Sequence, residues 1–224
     1  MLALGFSAGL PLLLVLGTLS FRLREAGIDR STIGHLSWVG LAYGFKWCWA
    51  PLVDRLPLPG LTRTLGRRRS WLLASQLTLV LALVGLALVD PRSGLSALVA
   101  WALLAAFASA TQDIALDAYR IESANAQHQA ALAATYQGGY RIAMIWAGAG
   151  VLWLAARAQA MTDDAQLGWQ YAYLIMAASM TVGIVTVLFA PEPVARPLEP
   201  ARNLAQWLQS ALIAPLSDFV RRYR

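Results

Sequence analysis

Charged side chains are scarce in this 224-residue chain, at 13% of residues against 58% that are hydrophobic. Soluble domains carry about 25% charged residues, so the composition argues against a soluble protein. A mean hydropathy of +0.53 indicates instead a membrane protein. Cys48 is the one cysteine, which excludes an intrachain disulfide and a cysteine-based redox pair. His35 and His128 lie far apart and form no metal motif, so no metal site is predicted.

The positive net charge of +6 has a topological explanation. Its arginines stand between apolar runs and form no soluble basic face, which argues against nucleic acid as a partner. With the N-terminus inside, the inner segments 54–70, 119–132 and 191–224 hold eleven arginines and the outer loops hold five. Because cytoplasmic loops collect arginine and lysine, we expect both termini in the cytoplasm.

Apolar runs divide the chain into membrane-spanning segments. Each run is close to the roughly 20 residues that a helix needs to cross a bilayer. The six runs are 3–21, 33–53, 71–89, 95–118, 133–156 and 169–190. The sequence therefore predicts an all-α membrane protein with six transmembrane helices over residues 1–190. Residues 191–224, with a weakly amphipathic stretch at 204–213, are predicted to be a cytoplasmic segment that does not span.

An acidic stripe marks the fourth run. Asp113 and Asp117 are four residues apart and Arg120 follows three later, so all three share one helix face. A carboxylate at the centre of a membrane costs roughly 2.5–3.5 kcal/mol on insertion scales. Such residues usually mark a path for ions, protons or substrate.

Three ionisable residues are predicted to lie at one depth in the membrane. Lys46, Asp113 and Arg141 stand on three helices, each roughly 10–12 Å in from the inner boundary at 1.5 Å per residue. Two interpretations are open: a static ion network that fixes helix packing, or a substrate-contacting layer in which Asp113 carries a proton. Gln112, next to Asp113, is assigned to the same translocation site.

Other candidates are weaker. Asp117 lies nearer the boundary, where a structural pair with a loop arginine competes with a transport role. Tyr136, Tyr140 and Trp47 could stack on sugar rings, although aromatic residues on membrane helices commonly serve packing or interface anchoring.

The loop between the second and third runs holds Asp54-Arg55 and Gly66-Arg67-Arg68, separated by the stretch 56–65. These motifs resemble the conserved loop of the major facilitator superfamily, with 56–65 as an insertion. The resemblance implies that charges in this loop lock the inner side of a transporter. Asp54, Arg55 and Arg67 match that role by position, and Arg120, near the same surface, is added to the predicted cytoplasmic gate.

Within that superfamily, the sequence resembles the AmpG-type muropeptide permeases. The motifs are SAGLPL (7–12), LREAG (23–27), WAPLVDR (49–55), GRRRSW (66–71), ATQD (110–113), DAYR (117–120), GYR (139–141) and APEP (190–193). The resemblance implies import of anhydro-muropeptides from cell-wall recycling across the bacterial inner membrane, driven by a proton gradient without a cofactor. Lys46 and Arg141 would then hold substrate carboxylates.

The resemblance also implies a twelve-helix protein, of which six helices are present here. We therefore expect this chain to be an N-terminal half that needs a missing second half or a partner chain. Alternatives are transport of another solute (a sugar or a CoA ester) and an inactive fragment. An intramembrane enzyme using Asp113 and Asp117 as an acid–base pair is disfavoured, because no His, Ser or Cys nucleophile is arranged nearby; no catalytic residue is assigned.

Overall fold

A computed structural model describes residues 1–194, together with the single positions Ser217 and Arg221. The predicted amphipathic stretch at 204–213 lies outside the described residues. Within them the chain is helical and has no strand, which confirms the all-α prediction. Five helices are long and apolar enough to cross a membrane: α1 (Leu2–Glu25), α2 (Arg67–Leu88), α3 (Leu95–Glu122), α4 (Ala126–Thr162) and α5 (Ala165–Phe189).

The second predicted span, 33–53, lies between α1 and α2 and is broken into short helical pieces. This interrupted segment, residues 30–55, consists of the pieces Arg30–Leu36, Ser37–Gly40, Leu41–Gly44, Lys46–Cys48 and Ala50–Arg55. Pro51 near the start of the last piece has no N–H to donate, and its ring clashes with helical backbone before it. Gly40 and Gly44 further weaken a regular helix. A short helix, Leu61–Leu65, then leads to α2.

The continuous helices extend beyond the apolar runs that predicted them. α3 continues past the predicted end at 118 to Glu122, and α4 begins at Ala126 rather than 133. Hydropathy detects the part of a helix that the bilayer covers, whereas polar turns outside it still form backbone hydrogen bonds. The charged ends of the helices therefore belong to the rigid bundle.

Glycines let α1 and α4 touch backbone to backbone. A methyl group at Gly5 would overlap the carbonyl of Tyr136, and one at Gly139 would overlap the carbonyl of Leu2. Small residues at such crossings permit the close approach that drives helix association in membranes. By contrast, Gly138 faces open space.

The core has two hydrophobic clusters with a polar layer between helices α1, α2 and α3. The larger cluster includes Leu10, Leu83 and Tyr173, and the smaller one includes Leu72 and Leu116. In the polar layer the side-chain amides of Gln76 and Gln112, both fully buried, donate to Ser7 Oγ at 3.3 and 3.2 Å. These bonds connect three helices in the interior of the bundle.

A buried arginine fastens the end of the bundle where α1 and α2 finish. Arg22, 1% exposed, donates to the carbonyls of Leu86 and, at 2.7 Å, Val89. Its guanidinium also lies 5.4 Å from the ring centroid of Tyr173. The cation thus caps the carboxyl end of α2, where helix carbonyls lack partners.

Candidate functional site

The acidic stripe of α3 faces the interrupted segment. Lys46 Nζ lies 3.9 Å from Asp113 Oδ2, and the two side chains are 38% and 22% exposed. At this distance the two groups form an ion pair but no hydrogen bond, because the donor–acceptor distance of a hydrogen bond has an upper limit near 3.2 Å. The pair therefore lies at the surface of the bundle, and electrostatic attraction holds it together without a hydrogen bond.

Trp49 holds the interrupted segment against α3 one helical turn from that pair. Its indole stacks on Phe107 at a centroid distance of 4.2 Å, and Nε1 donates to Thr111 Oγ1 at 3.1 Å. Regular helix packing is weak in a segment broken into short pieces, so such side-chain contacts fix its position. Lys46 thereby reaches Asp113 from a backbone that is not a continuous helix.

Tyrosines surround Asp113. Its charge acts on the hydroxyl groups of Tyr43, Tyr136 and Tyr140, which come from the interrupted segment and α4. The Tyr136 and Tyr140 rings, one turn apart on α4, have centroids separated by 6.0 Å at an interplanar angle of 49°. The site therefore combines one carboxylate, one ammonium group and several phenols, a set able to bind polar groups and move a proton.

Asp117 and Arg120 pair with each other on α3 at 3.3 Å. The Arg120 guanidinium also lies 5.7 Å from the Tyr136 ring centroid. Tyr136 therefore has a cation near one face of its ring, and its predicted stacking on a sugar stays a prediction.

The remaining predicted translocation residues make no ion pair with Lys46 or Asp113 in the part of the chain that the structure describes. Arg141 is exposed and follows Tyr140, a tyrosine on which both the Arg141 and Asp113 charges act. Trp47 is 60% exposed. Gln112 points into the buried polar layer rather than toward Lys46, because neighbouring residues on a helix face different directions. Of the three residues expected in one layer, Lys46 and Asp113 form an ion pair, and a role for Arg141 stays a prediction.

A charge cluster joins the helix ends at the other predicted site. Arg68, 6% exposed, donates to Asp54 Oδ1 at 2.6 Å and to both carboxylate oxygens of Glu122 at 2.7 and 2.9 Å. These bonds connect the interrupted segment, α2 and α3. A planar guanidinium that binds one carboxylate through two bonds fixes geometry as well as charge.

Glu192 completes this cluster from the residues after α5. Its carboxylate accepts from the backbone N–H groups of Arg68 and Arg69 at 2.8 and 3.1 Å, which caps the start of α2. Gly66 precedes them with φ +86°, and a Cβ at this position would collide with the Glu192 side chain. The glycine of the Gly-Arg-Arg motif is therefore required by both backbone angle and space.

The cluster differs in membership from the predicted gate. Arg67 Nη2 is 3.9 Å from Glu122, whereas the Asp54 contact belongs to Arg68. Arg120 pairs within α3. Arg55 ends the interrupted segment beside Asp54.

Sequence reasoning did not single out Arg68, Glu122 or Glu192. Helical spacing contains a partial signal, since Arg67 and Arg68 in a first turn point to different sides. The carboxylate partners, however, lie 54 and 124 residues away from Arg68 in sequence.

Comparison with known proteins identifies the family of the chain. The family model described as Major Facilitator Superfamily matches residues 1–223. The chain is 41% identical over 222 residues to the anhydromuropeptide permease of Escherichia coli (strain K12), covering 99% of this chain and 42% of that protein. It is 34% identical over 220 residues to the putative transporter AmpG 4 of Rickettsia felis, covering 98% of this chain and 51% of that protein.

The chain thus spans about half the length of the curated relatives it matches. These similarities confirm the resemblance to AmpG-type permeases, and they place the chain among transporters rather than enzymes. With its apolar helices and a family match over nearly all its residues, the chain belongs to the major facilitator superfamily of multi-pass membrane transporters.

Proposed function

We propose that this chain is the N-terminal six-helix half of a proton-coupled importer of anhydro-muropeptides. The observation that carries the proposal is the partly exposed Lys46–Asp113 pair at 3.9 Å, held between a broken helix and α3. The name of the Escherichia coli relative supports the substrate class. A second half, packed against the exposed side of the pair, would close the site.

In this mechanism Asp113 has either Lys46 as its partner or a bound proton. A membrane carboxylate is stable as an ion beside a cation and as a neutral acid without one. When a substrate carboxylate pairs with Lys46, Asp113 loses its cation and binds a proton. When the substrate leaves, Lys46 pairs with Asp113 again and the proton is released. The hydroxyl groups of Tyr136 and Tyr140, on which the Asp113 charge acts, provide hydrogen bonds to the sugar or to the acid.

The Arg68 cluster serves as the gate on the cytoplasmic side of the inner membrane, the side on which the arginine bias leads us to expect both termini. Its bonds join the ends of three helical segments through Asp54 and Glu122, and Glu192 extends them to the end of α5. Opening this side requires those segments to separate. Rocking of two halves about a central site is the usual route to alternating access.

Uptake of a labelled anhydro-muropeptide tests the proposal. The whole chain would be joined to the C-terminal half of the Escherichia coli relative and produced in cells lacking their own permease. We expect uptake at acidic external pH, at least tenfold lower with Asp113→Asn, and close to wild type with the matched control Asp117→Asn. Uptake by Asp113→Asn that equals wild type at every pH would refute the proton-carrier role, and uptake of unrelated sugars alone would refute the substrate class.

A further inference from the structure

A groove at the end of the bundle away from the Arg68 cluster has both polar and apolar walls. It lies between the last turn of α1 and the first turn of the interrupted segment, and encloses about 590 Å³ up to its open side. Its lining residues are Ser20, Phe21, Arg24, Arg30 and Ile33. Nothing in the transport mechanism uses this groove.

The groove lies at the height of lipid head groups. α1 has 24 residues, which at 1.5 Å per residue gives roughly 36 Å, longer than the roughly 30 Å hydrocarbon core. Arg24 stands in the last turn of α1, so its guanidinium reaches the interface. Phe21, 56% exposed and one turn earlier, lies on the hydrocarbon side.

The side chains of Arg24 and Arg30 are available to a ligand. Neither Arg24 nor Arg30 forms an ion pair among the residues that the structure describes. The two nearest acidic residues along the chain are engaged elsewhere. Glu25 accepts a hydrogen bond from the indole of Trp169 on the other side of α1.

Asp29 is the second of those acids. It accepts hydrogen bonds from Ser31 and Thr32, including the backbone N–H of Thr32 at 2.9 Å, and so caps the helical piece that begins at Arg30. These bonds, with that from Ser31 foremost, hold the pKa of Asp29 below its ordinary value. The carboxylate is therefore ionised but bound to Ser31 and Thr32, which leaves the two guanidinium groups at the groove without a carboxylate in direct contact among the described residues.

We propose that this groove binds an acidic phospholipid, with Arg24 and Arg30 holding the phosphate and Phe21 and Ile33 contacting the upper acyl chains. Arginine clusters beside membrane helices recognise anionic head groups through charge and hydrogen bonds. A soluble anion would use the cations but would gain nothing from the apolar wall. A peptide would find no strand edge to pair with among the described residues.

The test is lipid binding by the whole chain in a neutral detergent, with bound lipid counted by native mass spectrometry. We expect phosphatidylglycerol to bind more tightly than phosphatidylcholine. The double variant Arg24→Gln/Arg30→Gln should lose about 5-fold in affinity per arginine, roughly 30-fold together, while its thermal stability without lipid stays unchanged. Arg63→Gln, which removes an exposed arginine at the other end of the bundle, is the matched control.

Phe21→Ser separates a lipid from a free anion, because losing the apolar wall should weaken phosphatidylglycerol binding, so that inorganic phosphate displaces the lipid more readily from the variant than from wild type. The proposal is overturned if the double variant keeps the preference for phosphatidylglycerol, or if Arg63→Gln loses as much of it. It is also overturned if inorganic phosphate displaces the lipid equally from wild type and Phe21→Ser, which would identify a site for soluble anions.

Discussion

Replacing Arg68 with glutamine tests whether the gate depends on Arg68, as the contacts in the structure indicate, or on Arg67, as the sequence motif predicts. Arg67 and Arg68 are adjacent and chemically identical, and the sequence motif favours Arg67. In the structure Arg68 makes three charged hydrogen bonds of 2.6–2.9 Å, whereas the Arg67 guanidinium is 3.9 Å from its nearest carboxylate. Arg67→Gln is thus the matched control for Arg68→Gln.

The expected magnitudes follow from burial. Breaking a buried ion pair costs about 3–5 kcal/mol, because the remaining charge loses its partner. Glu122 is 13% exposed but Asp54 is 44% exposed, so water partly compensates the second carboxylate. We therefore expect about 3 kcal/mol of lost stability for Arg68→Gln, at the low end of that range. Arg67 and Glu122 are 16% and 13% exposed, but their 3.9 Å separation is too long for a hydrogen bond. The expectation for Arg67→Gln is therefore about 1 kcal/mol, the upper end of the range for weak ion pairs.

Thermal unfolding of the whole chain in detergent measures the difference. At 2–4 °C per kcal/mol for a protein of this size, Arg68→Gln should lower Tm by roughly 6–12 °C and Arg67→Gln by at most about 4 °C. Combining Arg68→Gln with Asp54→Asn should cost less than the sum of the single changes, because the two residues share one contact. Equal Tm losses for the two arginines, or a larger loss for Arg67→Gln, would refute the assignment of the gate to Arg68.

Three further predictions concern helix contacts, each checked by thermal unfolding in detergent. Gly139→Ala should cost about 1–3 kcal/mol by forcing α1 and α4 apart, whereas Gly138→Ala, in open space, should be neutral or stabilising by up to about 1 kcal/mol; similar effects of both would contradict the packing. Gly66→Ala should cost more than Gly60→Ala: both have positive φ, worth about 1–3 kcal/mol of strain, but only Gly66 abuts the capping carboxylate. Arg22→Met should cost about 2 kcal/mol by uncapping α2, and an unchanged Tm would show that these carbonyls need no cation.

Much of the fold could be predicted because it depends on local patterns. Apolar runs of about 20 residues predict membrane helices wherever they occur, and all six predicted segments are helical and follow in the expected order. The second run was predicted as one helix because hydropathy averages over its composition. Its breaks depend on Pro51 and on side-chain contacts such as Trp49 with Thr111, which hydropathy does not describe.

The candidate site could be predicted only in part. Depth along each helix follows from counting residues, and counting correctly paired Lys46 with Asp113 in space. Counting residues does not show which neighbouring helix a side chain faces, because the rotation of a helix about its axis depends on packing. Arg141, counted to the same depth, is exposed and forms no ion pair among the described residues, and Gln112 turns to the interior.

By itself, the sequence determined that this is a six-segment helical membrane protein, and it predicted that the scarce charges mark functional positions. Both conclusions follow from the cost of polar groups in a bilayer, which acts on every residue alike. The tertiary structure alone decided which charges meet. The choice of Arg68 over Arg67 depends on α2, α3 and the end of α5 converging, so that Asp54, Glu122 and Glu192 reach one guanidinium and its backbone. Such convergence is a property of packing between distant segments, which no local pattern contains.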